Sequence, residues 1–369
     1  MSTGVKRSAE AAARDPLLQR SLDVLREGQA PSGAFVASPA FGVYRYSWLR
    51  DGAFCAHALD LAGEKEHAGA FHRWAAAAVE GQRERATRAI GEVRSGGEPA
   101  HEEMLPTRYT LDGNLEPPDD EAWPNFQLDG YGMWLWSLGA RTAGAAQLDG
   151  LRPAVTLAAD YLDACWQLPC YGPWEEFDDG RHAPTLAAIA AGLRAASRLL
   201  DDPRYDETAD RIVARLLDEF VVDGRFKRCA TDERLDGSLL WLAVPFGVVA
   251  PDDPRMQATV AAVRRDLVGP SGGVRRYRGD TYFGGGEWIL LACSLAWHEL
   301  VAGPGDGSDM RSWVREQALP NGDLPEQTIT HPQDPEMVEP WVKLWGPVAT
   351  PLLWSHAMFV IVEGTASAA

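Results

Sequence analysis

Apolar residues recur three and four apart along most of this chain, the spacing of one buried helix face. Twelve helical segments follow, near residues 7–28, 50–63, 66–90, 128–145, 150–166, 182–201, 204–219, 236–248, 254–268, 285–302, 307–318 and 348–363. Strand-like runs are short, and "FVVDGRFKR" reads as a hairpin set in a loop. The stretches 92–127 and 327–347 hold "PPDDEAWPN" and "HPQDPEMVEPW" and are expected to be ordered but irregular. No 34- or 40-residue sequence repeat accompanies the helices, which argues against a solenoid. Twelve such helices suit six hairpins closed into a ring. The fold class expected is therefore all-α, an (α/α)6 barrel with inner and outer layers, with 1–369 as one domain.

The residues before alternate helices sharpen the picture. "VYRYSWLRDG" precedes the second segment, "EAWPNFQLDGYG" the fourth and "YGPWEEFDDG" the sixth. "CATDERLDGS" leads into the eighth, "VRRYRGDTYFGGGEW" into the tenth, and "LPEQ" with a long loop ending "WGPVATP" into the twelfth. Alternate helices of such a ring run parallel, so these six loops share one rim and converge on one mouth. The odd-numbered helices start with plain capping sequence such as "DDPRYDETAD". Ordinary capping accounts for the Asp and Gly of the six loops but not for their Trp and Arg.

Composition narrows the class of ligand. Apolar residues make up 46% and charged ones 24%, an ordinary globular balance. With 53 acidic against 35 basic side chains the formal charge is −18, so nucleic acid and anionic membranes are poor partners. A neutral small molecule or carbohydrate fits better, and the 14 tryptophans suit stacking against sugar rings. No run of 18 apolar residues exists, and the first twenty residues lack the apolar core of a signal peptide, which points to the cytoplasm. Cys55, Cys165, Cys170, Cys229 and Cys293 are odd in number and form no CxxC, so free buried thiols are expected. A metal-dependent barrel enzyme would need converging ligands; Asp201, Asp202 and Asp206 sit between helices where capping acids are common. Neither metal nor cofactor is expected, and oligomeric state is left open.

The segments "YRYSWLRDGAF", "QLDGYG", "GPWEE", "RRYRGDTYFGGGEWILL", "LPEQ" and "LLWSHA" resemble those of the glucoamylase family, glycoside hydrolase family 15, in that family's order. The resemblance spans roughly 33 to 363. It implies an (α/α)6 barrel that hydrolyses α-glucosidic bonds from the non-reducing end with inversion, releasing β-glucose. The chain looks most similar to compact members without an N-terminal β-sandwich or a carbohydrate-binding module. Those act on isomaltose-type α-1,6 links; α-1,4-specific glucoamylase and trehalase are the alternatives. An inverting phosphorylase needs no base carboxylate, and Glu326 argues against it. A silent sugar-binding protein would need neither catalytic glutamate.

Inverting hydrolysis needs one carboxylic acid to protonate the leaving oxygen and one carboxylate to activate water on the opposite face. By the resemblance, Glu175 matches the general acid and Glu326 the general base. Trp174 and the neighbouring rim are expected to keep water from Glu175 and hold its proton, while Glu326 stays ionised. Gln327 is expected to orient Glu326 or to contact sugar. On an extended segment Glu175 and Glu176 point opposite ways, and the family pattern puts Glu176 on the sugar beyond the scissile bond. Arg50 and Asp51 match the pair that holds the terminal glucose, and Tyr44 and Trp48 match its aromatic lining. Trp123 matches a stacking tryptophan and Arg276 a ligand to sugar hydroxyls, with Asp280 a cap or loop tie. Trp354 is expected to floor the pocket, His356 to be structural, and Asp178 with Asp179 to form a solvated turn.

Overall fold

The structure is a computed structural model and describes residues 15–117, 123–142, 148, 150–303 and 305–368. Its helices are α1 (Pro16–Glu27), α2 (Leu49–Leu61), α3 (Lys65–Gly81), α4 (Arg83–Arg94), α5 (Asp129–Arg141), α6 (Arg152–Cys165) and α7 (Ala183–Leu200). They continue with α8 (Arg204–Glu219), α9 (Pro254–Asp266), α10 (Ile289–Ala302), α11 (Ser308–Glu316), α12 (Val338–Trp345) and α13 (Leu353–Ala368). Helix α2 touches α5, α5 touches α7, and α7 touches a 3-10 helix at Gly237–Leu242. That turn meets α10, α10 meets α13, and α13 returns to α2, closing an inner ring. Helices α1, α3, α6, α8, α9 and α11 lie outside it, giving the expected (α/α)6 barrel.

Burial explains which helices go where. Inner helices are apolar around their whole circumference: α10 is buried from Ile289 to Glu299 without a break. Outer helices bury one stripe, as α8 does with Tyr205, Thr208, Ala209, Ile212 and Leu216. Inner neighbours also need small residues to approach. A Cβ on Gly132 of α5 would stand 2.5 Å from the Ala188 carbonyl oxygen of α7, so the two backbones pack in contact there.

Three expected elements come out differently. The segment 66–90 divides at Gln82, which ends α3 and starts α4 with a non-helical φ of −107°. The segment 236–248 forms only 3-10 turns over 237–242, because Pro245 lacks the N–H a longer helix needs and Gly247 is left-handed. Within 327–347, read as irregular, α12 forms; its Pro340 lies in the first turn, where a missing N–H costs nothing. Residues 7–14 of the first expected helix and 143–145 of the fourth lie outside the described residues. The hairpin in "FVVDGRFKR" forms as β3 (Val221–Val222) against β4 (Arg225–Phe226).

Two rim loops are wound alike. In one, Gln29 bridges Phe35 around Gly33 (φ +103°), and Ser47–Trp48 (β1) pairs with Arg108–Tyr109 (β2) just before α2. In the other, Val268 bridges Val274 around Gly272 (φ +105°), and Glu287–Trp288 (β5) pairs with Gln327–Thr328 (β6) just before α10. "APSGA" and "GPSGG" are the matching turns. The carboxylate of Glu287 is structural here, accepting from Ser271 N–H (3.2 Å) and Gly273 N–H (2.7 Å).

All five cysteines are buried free thiols. Among the described residues no helix is long and apolar enough to cross a membrane. His356 is buried; its Nε2 accepts from Leu324 N–H (2.9 Å), which leaves Nδ1 to donate to Ser21 Oγ (2.9 Å). Burial pushes both His356 and His72 down to about 3. Each binds a proton in the unfolded chain below its ordinary value of about 6.5 and stays neutral in the fold. Stability is therefore complete above that pH and drains away toward 3. Each should cost about 2 kcal/mol at pH 5, seen as a falling Tm between pH 7.5 and 5. His72→Leu, whose ring nitrogens have no hydrogen-bond partner among the described residues, should flatten that slope.

Candidate active site

The inner helices end at one mouth in a cavity of about 500 Å³. Eleven of the twelve residues nominated from sequence line it: Tyr44, Trp48, Arg50, Asp51, Trp123, Trp174, Glu175, Glu176, Arg276, Glu326 and Trp354. They come from loops and helix starts up to 310 residues apart (44 to 354), brought together because the six loops share a rim.

Gln327 does not line the cavity. It lies on β6, where successive side chains face opposite ways, so with Glu326 turned inward Gln327 turns out. Its amide oxygen instead accepts from Gly286 N–H at 2.9 Å, anchoring the glycine-rich loop. The alternation expected for Glu175 and Glu176 also fails, for a local reason. Glu175 is left-handed (φ +63°) in a turn closed by its own N–H to the Gly172 carbonyl, so both glutamates reach one cavity. They differ by partners rather than by face.

Glu175 sits in a nest of donors. Its Oε1 accepts from Trp48 Nε1 (2.8 Å), Gln127 Nε2 (2.8 Å) and Arg50 Nη2 (3.1 Å), and its Oε2 from Trp123 Nε1 (3.0 Å). Glu176 instead accepts from Arg276 Nη2 (2.7 Å) and the Tyr277 hydroxyl, with Arg228 at 3.5 Å. Arg276 also donates through Nε to Asp280 (2.7 Å), which takes the Tyr282 N–H (2.9 Å) as well; Asp280 ties this loop together rather than capping α10. Trp174 does not turn its polar edge to Glu175; its Nε1 donates to Asp236 at 2.9 Å.

Arg50 and Asp51 occupy the first turn of α2 and are both buried. Burial works against the Arg50 charge, and Glu175, Asp129 and Asp51 outweigh it, so the guanidinium is held protonated more firmly than usual. Burial pushes Asp51 up to about 6 against the opposing pull of Arg50. Trp354 lines the cavity, its ring 5.6 Å from the Arg50 guanidinium carbon and stacked on Phe54 at 5.3 Å.

Glu326 is mounted immediately before β6, its backbone tied to Ala349 (2.9 Å) and Ile289 (3.2 Å). The Tyr44 hydroxyl donates to its Oε1 (3.1 Å) and touches the Tyr282 hydroxyl (2.9 Å). Its Oε2 has no hydrogen-bond partner among the described residues. Burial pushes this carboxyl up to about 8, with Tyr44, Arg276 and Tyr282 pulling the other way. Glu326 was expected from sequence to stay ionised; burial instead favours its protonated form, because few donors reach this carboxyl.

Several lining residues were not singled out from sequence. Tyr282 was readable in "DTYFGGG" as the aromatic of a motif already noted. Trp341 and Trp345, four apart on α12, line the cavity, but Pro340, immediately before Trp341, disguised the helix. Gln127, behind the lining, opens the segment "QLDGYG" but was given no role from sequence. Asp178 and Asp179 are exposed, as expected of a solvated turn. Asp202 caps its own loop through Arg204 (2.8 Å) and Asp206 accepts from Ser197 (2.6 Å), so the acids between α7 and α8 have helix-end roles.

The family model for glycosyl hydrolases family 15 matches residues 11–312. An isomaltose glucohydrolase from Kribbella flavida is 41% identical over 364 residues, covering 96% of this chain and 94% of that protein. A trehalase from Mycolicibacterium smegmatis is 28% identical over 75% of this chain and 45% of its own length. Among solved structures, a wild-type glycosidase has 39% identity and a TM-score of 0.88, over 99% of this chain and 98% of that one. A glutamate-to-alanine variant of a glycosidase, in complex with glucose, has a TM-score of 0.89 at 39% identity, over 99% of this chain and 98% of that one. A bacterial glucoamylase complexed with acarbose shares the fold at a TM-score of 0.74 and 21% identity, over 95% of this chain and 55% of that one.

Removing Arg50 should strand the buried carboxylates of Asp51 and Asp129 and the partly buried one of Glu175. Arg50→Met is expected to cost about 3–5 kcal/mol of stability at neutral pH, the usual scale for breaking a buried charge pair from one side. The deficit should narrow as pH falls, because protonated carboxyls need no counter-charge. Denaturant unfolding of both proteins at pH 7.5 and 5 measures it.

Proposed function

Because the chain belongs to glycosyl hydrolases family 15, we propose that it is an exo-acting, inverting α-glucoside hydrolase that releases β-glucose from short α-1,6-linked substrates of the isomaltose type. The observation that carries this reading is the meeting of Glu175 and Glu326, 151 positions apart, on one cavity with the Arg50–Asp51 pair and Trp354. The identity to an isomaltose glucohydrolase along nearly the whole chain supports the linkage. Five buried free thiols fit a reducing compartment, and we place the enzyme in the cytoplasm.

The terminal glucose enters toward Arg50, Asp51 and Trp354, where charged groups offer hydrogen bonds to its hydroxyls and the indole packs against its ring. Glu175 delivers its proton to the glycosidic oxygen as the C1–O bond breaks. Water attacks C1 from the opposite face and gives a proton to Glu326, so inversion leaves the β-anomer. The nest of donors around Glu175 stabilises the negative charge that appears there as the proton departs. Burial of Glu326 favours the form that has just gained a proton, so the ionised carboxylate takes the proton of the attacking water readily, and activity should rise with pH toward about 8 as more of it ionises. Glu176, held by Arg276 and Tyr277, stands on the side of the departing sugar.

Proton NMR of the anomeric signal during turnover of isomaltose, maltose and trehalose tests the outcome. Initial β-glucose, fastest from isomaltose, is expected; initial α-glucose would overturn inversion, and faster maltose or trehalose the linkage. Glu175→Gln and Glu326→Gln should each lower kcat on isomaltose at least about 100-fold. With α-glucosyl fluoride, whose fluoride leaves without a protein proton, Glu175→Gln should regain most activity while Glu326→Gln stays slow. The opposite pattern would exchange the two roles.

A further inference from the structure

One buried amide joins the sugar-binding charge pair to the proton donor. Gln127 is 3% exposed and does not itself line the cavity. Its Oε1 accepts from Arg50 Nη1 at 2.8 Å, and its Nε2 donates to Glu175 Oε1 at 2.8 Å. The orientation of the amide is determined by chemistry: a guanidinium has only donors, so the carbonyl must face Arg50 and the NH2 is left for the carboxylate. Arg50 is itself fixed, with Nη1 also 3.4 Å from Asp129 and Nε 3.4 Å from Asp51. Glu175 has a left-handed backbone that its side chain must be held against, and a carboxyl on such a turn has no helix or strand to define its direction.

We propose that Gln127 is a positioning residue for proton delivery: it ties the aim of Glu175 to Arg50, the group that grips the terminal sugar, and never touches substrate. This rests on the reading of Glu175 as the proton donor. A donor displaced by a fraction of an ångström loses much of its effect on the bond it protonates, while binding of the sugar is little altered. The signature is therefore a selective defect. Substrates that need a proton on the leaving group suffer, and substrates that do not need one are spared.

Gln127→Met keeps the length of the side chain and removes both hydrogen bonds; Gln127→Glu keeps an acceptor for Arg50, removes the donor to Glu175 and adds a carboxylate beside it. Each is assayed on isomaltose and on α-glucosyl fluoride. On isomaltose, kcat should fall about 10- to 100-fold, with KM within about threefold of the parent. On α-glucosyl fluoride the loss should stay under about threefold. Equal losses on both substrates, or none on isomaltose, overturn the positioning role. Should Gln127→Met fail to fold, Gln127→Glu alone decides. Glu175→Gln run alongside separates the two ideas. If it shows no selectivity for the fluoride, the donor assignment itself fails; if it does and the Gln127 variants do not, only this inference falls.

Discussion

A single buried positive charge organises the mouth of the barrel. Arg50 is 6% exposed, and around its guanidinium gather Asp51, Asp129, Glu175 and the carbonyl of Gln127. These come from the start of α2, the start of α5 and the loop before α7, so the charge binds three inner helices electrostatically at the end where their packing gives way to loops. Three carboxylates taken out of water are tolerable only with a counter-ion among them, and each keeps the others and the guanidinium from drifting. The geometry of the whole donor side of the cavity depends on that contact.

The two glutamates are unlike because their surroundings are unlike. Glu175 is ringed by N–H groups from Trp48, Trp123, Gln127 and Arg50. Glu326 accepts from the Tyr44 hydroxyl through one oxygen, and its other oxygen has no hydrogen-bond partner among the described residues. The first environment suits a group that ends the reaction charged, the second a group that ends it neutral. In the proposed mechanism both end states are those of proton transfer, so the two environments stabilise the charge redistribution of that reaction rather than the starting arrangement.

Much of this was legible in the sequence, for identifiable reasons. Helical periodicity is strong for outer helices that bury one stripe, such as α8, and aromatic and charged residues stand out where alternate helices begin. Where the reading failed, local backbone or tertiary contact decided. Trp341 and Trp345 were obscured by Pro340, which stops helices everywhere except in the first turn where it lies. The alternation rule was applied to Glu175, whose left-handed φ exempts it, and not to Gln327, whose place on β6 obeys it. The electrostatic difference between the glutamates could not be read at all, because it arises from donors at positions 48, 50, 123 and 127, distant from 175 along the chain.

The two rim loops wound alike bring out one more property of the cavity. Each sends a tyrosine to the centre, where Tyr44 and Tyr282 meet, and each places a tryptophan, Trp48 or Trp288, one residue before an inner helix. Two residues past those tryptophans the copies diverge: one carries Arg50 and the other Leu290, and both face the cavity. A near-duplicate framework therefore presents an ionic station on one wall and a hydrocarbon station on its counterpart. A pyranose has a hydroxyl-studded perimeter and patches of bare C–H, so between such walls it has one comfortable way round.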